Sequence, residues 1–193
     1  MQSVCVFCGS SPGLDPAYTE AARSLGRTLA KANIRLVFGG GHVGLMGVVS
    51  NAAIEAGGEA IGVIPKFLVE RELAHTGLTD LRIVGSMHER KAMMSDLSEG
   101  FITLPGGTGT LEEFFEILTW AQLGEHEKPC GLLNVAGYYD PLLTVFDQMV
   151  NRGFLSGPNR DLVLVESEHE RLLQRLESYQ PPKTAKWIDR SET

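Results

Sequence analysis

The chain has 193 residues, a formal net charge of −7 and a pI near 5.2. Its hydrophobic fraction of 43% and charged fraction of 21% are typical of a folded globular protein and exclude a disordered or fibrous one. The negative charge and the lack of any Lys/Arg run disfavour a nucleic-acid polymer as partner, whereas a small anion can still bind at a helix N-terminus.

The N-terminal sequence MQSVCVFCGSSPG has no basic segment followed by a long apolar stretch, so we expect no secretory signal peptide. No apolar run in the sequence reaches the roughly 18 to 20 residues needed to span a bilayer. We therefore expect a cytoplasmic protein with no membrane partner.

Strand-like and helical patterns alternate along the N-terminal half of the chain. The predicted strands are residues 4–8, 34–38, 60–64 and 81–84. The predicted helices are residues 15–32, 86–98 and a third that ends near residue 56. Asp15 can cap the first helix ahead of Pro16, and Ser86 with Glu89 forms a capping box. Residues 66–77 are predicted to be irregular.

The same alternation continues through the C-terminal half, with strands at 101–104, 130–134 and 162–166 and helices at 111–123, 139–151 and 168–179. Such alternation predicts an α/β fold, a Rossmann-like doubly wound parallel sheet with helices on both faces. We expect one domain over residues 1–180 and a C-terminal extension over 181–193. In this fold a ligand lies beyond the carboxyl ends of the strands, which points to the turns at 9–13, 39–44 and 105–110.

Two cysteines in the first strand, Cys5 and Cys8, have the CxxC spacing of redox and zinc sites. However, residues three apart in a strand point to opposite faces, and the sequence has no second CxxC or His pair for zinc. We interpret both as buried structural thiols.

Residues 39–44, GGGHVG, match the GxGxxG pattern of dinucleotide-binding proteins. The acidic residue that would hold the ribose at the end of the next strand is missing, because that strand ends in Val63-Ile64-Pro65. This turn is therefore either a tight connection with close helix packing or a phosphate or ribose contact without NAD. Ser10, Gly40 and Gly41 are the candidate contacts in the first two turns.

The strongest motif is PGGTGTLEE, residues 105–113. Its glycines, among them Gly106, let backbone N–H groups converge on an anion, and the helix that follows adds its positive end. Thr108 and Thr110 add hydroxyl donors. The Lys-Ser/Thr ending of a P-loop is absent, so the motif predicts an anion site of another type.

The motif ends in two acidic residues, Glu112 and Glu113. Two cations, Arg90 and Lys91, lie on the predicted helix 86–98, which precedes the motif in the chain. The glutamates either complement the helix dipole or stabilise a cationic transition state, as glycoside cleavage requires. The cations either face solvent or point into the site, where a guanidinium can bind phosphate or orient a carboxylate. No GxSxG or HExxH motif is present, so we expect no metal and no cofactor.

With PGGTGTLEE, GGGHVGLMG and HERK all present, the chain resembles the LOG ("lonely guy") family of cytokinin riboside 5′-monophosphate phosphoribohydrolases, sometimes labelled lysine decarboxylases. The resemblance extends from CVFCGSSPG to YYDPLL. It implies a homodimer that hydrolyses AMP, or N6-modified AMP such as isopentenyl-AMP, to the free base and ribose 5-phosphate. A non-catalytic nucleotide or molybdenum-cofactor carrier of the same superfamily is the alternative, and an NAD-dependent oxidoreductase is a third.

The resemblance also implies which residues act. Arg90 and Glu113 correspond to the family's catalytic pair. The implied substrate contacts are Glu72, Arg90, Lys91, Gly106, Gly107, Thr108, Gly109, Thr110, Leu111, Glu112, Glu113 and Thr119. Thr108 is a departure, because plant members tend to carry Tyr there.

Overall fold

A computed structural model describes residues 1–71 and 74–182 of the chain. Within that part, seven parallel strands form one sheet in the order β4-β3-β2-β1-β5-β6-β7. The strands are β1 Ser3–Phe7, β2 Arg35–Phe38, β3 Ala60–Pro65, β4 Asp80–Val84, β5 Phe101–Thr103, β6 Cys130–Leu133 and β7 Val163–Glu166. The predicted doubly wound parallel sheet is therefore confirmed.

Helices connect the strands and cover both faces of the sheet. They are α1 Pro16–Lys31, α2 Gly44–Glu55, α3 Lys66–Val69, α4 Met87–Asp96, α5 Thr108–Leu123, α6 Asp140–Asn151, α7 Gly157–Arg160 and α8 His169–Glu177, with a 3-10 turn at Val135–Gly137. None of the helices in the described residues combines the length and apolarity needed to cross a bilayer. Most of the proposed extension, residues 183–193, lies outside the described residues.

Three local predictions need correction. Residues 66–77 are not wholly irregular, because Lys66–Val69 forms the short helix α3 directly after Pro65. Helix α7 was missed, although Ser156 caps it by accepting a hydrogen bond from the Asn159 amide. The third difference affects the site: α5 begins at Thr108 rather than Leu111, because Gly107 is its N-cap in an extended conformation.

Alternation along β1 divides the core between the two faces of the sheet. Cys5 packs with Met94 of α4 and Ile117 of α5, whereas Cys8 packs on the side of α1, α2 and α8. Both thiols are free and buried. The interpretation of the CxxC pair as structural thiols on opposite faces is thus confirmed.

The sheet reverses its winding direction at β1. This strand pairs with β2 on one side and β5 on the other, with Phe7 in register with Thr103. The segments that leave the carboxyl ends of β1 and β5 therefore run side by side, and the Gly9 amide donates to the Pro105 carbonyl at 3.1 Å. This is the topological switch point at which open α/β sheets bind ligands.

Candidate active site

Arg90 is buried next to the switch point between β1 and β5. The Ser86 side chain caps α4 by accepting from the Glu89 amide, which sets the first turn of the helix that carries Arg90. The Arg90 side chain is only 9% exposed, and its Nε donates to the Val63 carbonyl in β3 at 3.1 Å. This hydrogen bond to a backbone carbonyl fixes the arginine side chain and leaves Nη1 and Nη2 for other partners.

The first glycine of the GGGHVG turn makes room for this guanidinium. A Cβ atom added at Gly39 would overlap Nη2 of Arg90, so no larger residue is compatible with the observed arginine conformation. The next two glycines serve the fold: Gly40 has a φ of +72° and packs against Ile64, and Gly41 forms a β-bridge with Ala74. The turn therefore supports Arg90 and the neighbouring loop.

Helix α5 presents an uncapped N-terminus beside Arg90. Its N-cap residue, Gly107, provides no side-chain hydrogen bond, so the amides of the first turn are available to an anion. A cavity of about 290 Å³ opens there. Its walls are Cys8, Ser10, Met46, Met87, Arg90, Gly107, Thr108, Gly109, Thr110, Glu112 and Glu113.

Glu113 lies beside Arg90 in the wall of this cavity. Its Oε1 lies 3.5 Å from Nη1 of Arg90, and its side chain is 12% exposed. Burial raises the pKa of Glu113 to about 6, although the Arg90 guanidinium lowers it. The separation is longer than that of a charge-assisted hydrogen bond, so the arginine offsets only part of the desolvation. The pKa of the carboxyl group consequently lies above that of an ordinary glutamate, as the pKa values of catalytic carboxyl groups often do.

Lys91 does not line the cavity; its side chain pairs with two glutamates of α5. Its Nζ lies 2.5 Å from Glu112 Oε1 and 2.8 Å from Glu116 Oε2. Burial by itself lowers the pKa of Lys91, but the hydrogen bond to Glu112 and the ion pair with Glu116 raise it above its ordinary value. The ammonium group therefore stays protonated and joins α4 to α5.

Sequence comparison decides the family. The model of a family described as "Possible lysine decarboxylase" matches residues 46–176. "Probable cytokinin riboside 5'-monophosphate phosphoribohydrolase LOGL5" of Oryza sativa subsp. japonica is 53% identical over 179 residues, 93% of this chain and 73% of that protein. "Cytokinin riboside 5'-monophosphate phosphoribohydrolase LOG3" of Arabidopsis thaliana is 50% identical over 92% of this chain and 83% of its own length. The chain belongs to the LOG family.

A more distant solved structure shares the LOG fold. The molybdenum cofactor binding protein of Rippkaea orientalis matches with a TM-score of 0.69 and 24% identity, over 91% of this chain and 95% of the other. At that identity the likeness shows the fold alone.

The two names attached to the LOG family, lysine decarboxylase and phosphoribohydrolase, imply different chemistry. A lysine that forms a Schiff base with pyridoxal phosphate must be able to lose its proton, and enzymes achieve this by lowering its pKa. The lysine beside this site, Lys91, has a raised pKa and two carboxylate partners. Its chemistry therefore argues against the decarboxylase description and agrees with the phosphoribohydrolase names of the curated relatives.

A second cavity, of about 280 Å³, adjoins the first and shares Ser10 and Gly107 with it. Gly106 lies in its wall, where the Tyr138 hydroxyl donates to the Gly106 carbonyl at 2.6 Å. Tyr18 packs edge-to-face on Tyr138 with ring centroids 5.6 Å apart. These contacts brace the glycine-rich turn from the side of α1.

The structure brings most of the candidate residues, whether predicted from the glycine turns or implied by the LOG resemblance, to one cavity and leaves others outside it. Ser10, Arg90, Gly107, Thr108, Gly109, Thr110, Glu112 and Glu113 line that cavity. Five others lie elsewhere: Lys91 pairs with glutamates, Leu111 packs on the core near α6, Gly40 and Gly41 contact other loops, and the exposed Thr119 donates to the Phe115 carbonyl. Glu72 lies outside the described residues.

Three residues line the cavity that the sequence did not predict to be part of the site: Cys8, Met46 and Met87. Each lies in or next to a segment that the sequence analysis selected: just after β1, in GGGHVGLMG or at the start of α4. A signal for Cys8 was available, because it is the last residue before the first glycine turn. Nothing in the local sequence distinguishes Met46 and Met87 from core methionines.

Proposed function

We propose that the chain hydrolyses the N-glycosidic bond of a nucleoside 5′-monophosphate, AMP or N6-modified AMP such as isopentenyl-AMP, to the free base and ribose 5-phosphate. The observation that carries the proposal is the position of Glu113. This buried carboxyl group lies beside Arg90 and one helical turn from the uncapped N-terminus of α5. The names of the curated relatives support the substrate class.

The N-terminus of α5 is the proposed phosphate site. The amides of Thr108, Gly109 and Thr110 and the positive end of the helix dipole would hold the 5′-phosphate. Gly109 and Glu113 are four residues apart, so they share one face of the helix. Phosphate binding would therefore place the ribose over Glu113 and use binding energy remote from the reacting bond to orient it.

Glu113 is the proposed catalytic carboxylate. In its ionised form it would stabilise the positive charge that develops on the ribose ring, or direct water to C1′. Water adds to C1′ as the glycosidic bond breaks, the bonding electrons pass to the base nitrogen, and a proton from the water ends on the base. Arg90 is proposed to orient Glu113 and to favour its charged form, because its Nη1 faces the carboxylate while Nε is fixed on Val63.

Incubation of the protein with AMP and with isopentenyl-AMP tests the function. We expect chromatography to show adenine or isopentenyladenine together with an equal amount of ribose 5-phosphate. Calorimetric binding of AMP without any released base, at high protein concentration, would contradict catalysis and favour a nucleotide or cofactor carrier.

The homodimeric state and the cytoplasmic location are likewise proposals, and both rest on the family resemblance and the sequence.

The activity should depend on pH through Glu113. Because the ionised form is the proposed catalyst and its pKa is about 6, we expect kcat/KM for AMP to fall as the pH drops through 6. The measurement is a pH profile of kcat/KM, which reports groups of the free enzyme. A phosphate monoester also titrates at about pH 6, so the Kd of ribose 5-phosphate for Glu113→Gln over the same range serves as control. A flat profile between pH 5 and 7, after that correction, would contradict the role of Glu113.

A further inference from the structure

Lys91 adjoins the site and yet does not line its cavity. We propose that Lys91 is a positioning residue whose ammonium group clamps Glu112 and Glu116, and so sets the position and charge of Glu113 without contacting the nucleotide. This inference rests on the proposed function of Glu113. It differs from the substrate-binding role that the family resemblance implies for Lys91.

The clamp consists of a hydrogen bond to Glu112 and an ion pair with Glu116. The Lys91 side chain is 6% exposed, and its Nζ reaches Glu112 Oε1 at 2.5 Å and Glu116 Oε2 at 2.8 Å. Glu112 and Glu116 are four residues apart and lie on one face of α5. Their common partner on α4 therefore fixes the rotation of α5 about its axis, and this rotation determines where Glu113 points.

The clamp also balances charge next to the phosphate site. The first turns of α5 carry three carboxyl groups, those of Glu112, Glu113 and Glu116, which would repel one another and a phosphate. Each pairs with a cation of α4, because Arg90 faces Glu113 and Lys91 faces the other two. Without Lys91, two unpaired carboxylates would lie beside Glu113 and oppose its ionisation.

The groups that act electrostatically on Glu113 come from three elements. Arg90 and Lys91 of α4 favour its charged form, and Glu112 and Glu116 of α5 disfavour it. The thiols of Cys5 in β1 and of Cys8 just after it also interact electrostatically with Glu113, but burial raises the pKa of both well above the usual range. The thiols therefore stay neutral at the pH at which Glu113 titrates, and the balance is set by two cations and two carboxylates.

The test compares Lys91→Met with Lys91→Arg, which keeps the charge. We expect Lys91→Met to move the acid limb of the kcat/KM profile to higher pH, by on the order of one pH unit. Lys91→Arg should keep the limb near its original position. Glu116→Gln should move it to lower pH, and Lys91→Met/Glu116→Gln should return it toward the starting profile. The compensation distinguishes action through the carboxylates from general damage to the fold.

A direct phosphate contact by Lys91 predicts a different pattern. The Kd of ribose 5-phosphate for Lys91→Met would then rise at least tenfold, the acid limb would stay in place, and Glu116→Gln would compensate nothing. That result would overturn the proposal, as would an unmoved limb in a folded Lys91→Met variant.

A second readout separates this inference from the proposed function. The ¹³C resonance of the Glu113 side-chain carboxyl reports its titration directly, and Glu113→Gln assigns the signal. We expect Lys91→Met to raise that titration midpoint even if the native protein releases no base from AMP. An unchanged midpoint would reject the inference about Lys91, whereas absent turnover alone would reject only the proposed function.

Discussion

Replacement of Glu113 by Gln should reduce base release from AMP by roughly 10²- to 10⁴-fold, the range associated with the loss of a positioned acid or base. The glutamine amide has nearly the same shape as the Glu113 carboxylate, but it cannot carry the negative charge that would stabilise a ribosyl cation. Ribose 5-phosphate should still bind, because its proposed site is the N-terminus of α5. Single-turnover assays of adenine release and calorimetry with ribose 5-phosphate provide the two measurements.

Stability supplies the control for this variant. Because burial raises the pKa of Glu113 to about 6, the native state binds a proton more tightly than the unfolded chain does between the ordinary glutamate pKa and 6. Folding stability from this group is therefore present below that range and is lost as the pH rises through 6. Glu113→Gln should melt no lower than the native protein at pH 8. Glu125→Gln makes the same chemical change at an exposed position and serves as the control. A large fall in Tm of Glu113→Gln, or activity equal to that of Glu125→Gln, would contradict the prediction.

Replacement of Gly39 by Ala should impair catalysis through Arg90. The added Cβ would overlap Nη2 of Arg90, so the guanidinium must leave its position between Val63 and Glu113. A displacement of about 1 Å in a catalytic group can cost on the order of 10²-fold in rate, and we expect a loss of that size in kcat/KM for AMP. Steady-state kinetics with AMP measure it.

The double variant Gly39→Ala/Arg90→Ala makes this test specific. If the methyl group acts only by displacing Arg90, the double variant should be no worse than Arg90→Ala alone, since the two changes share one mechanism. Gly157→Ala is the matched control, because a Cβ at Gly157 meets no atom within 4 Å. Fully additive losses for Gly39→Ala and Arg90→Ala would show that the glycine has another role.

Several parts of the site were readable from the sequence because they depend on local interactions. The glycines and threonines of PGGTGT precede a helix, and this order alone predicts an anion site. The position of that site at the sheet edge follows from the alternation of strands and helices. The start of α5 was predicted three residues too late, since Thr108, Gly109 and Thr110 are poor helix formers whose helical conformation depends on Gly107 as N-cap.

Other parts depended on contacts between distant segments. The sequence left open whether Arg90 faces a phosphate, a carboxylate or solvent, and it placed Lys91 beside Arg90 with the same alternatives. The structure turns adjacent side chains of α4 to different partners: Arg90 to Val63, 27 residues away, and Lys91 to Glu112, 21 residues away. Such pairings arise from the packing of α4 against β3 and α5, which no local pattern encodes.

The sequence by itself thus determined the doubly wound parallel sheet and predicted an anion site in the PGGTGT turn at one edge of it, because periodicity, capping and glycine content act within a few residues. Only the tertiary structure decided that Gly39 makes room for Arg90, that Lys91 pairs with Glu112 and Glu116, and that Glu113 titrates near pH 6. These properties depend on burial and on the distances between charges, which exist only after the helices have packed against the sheet.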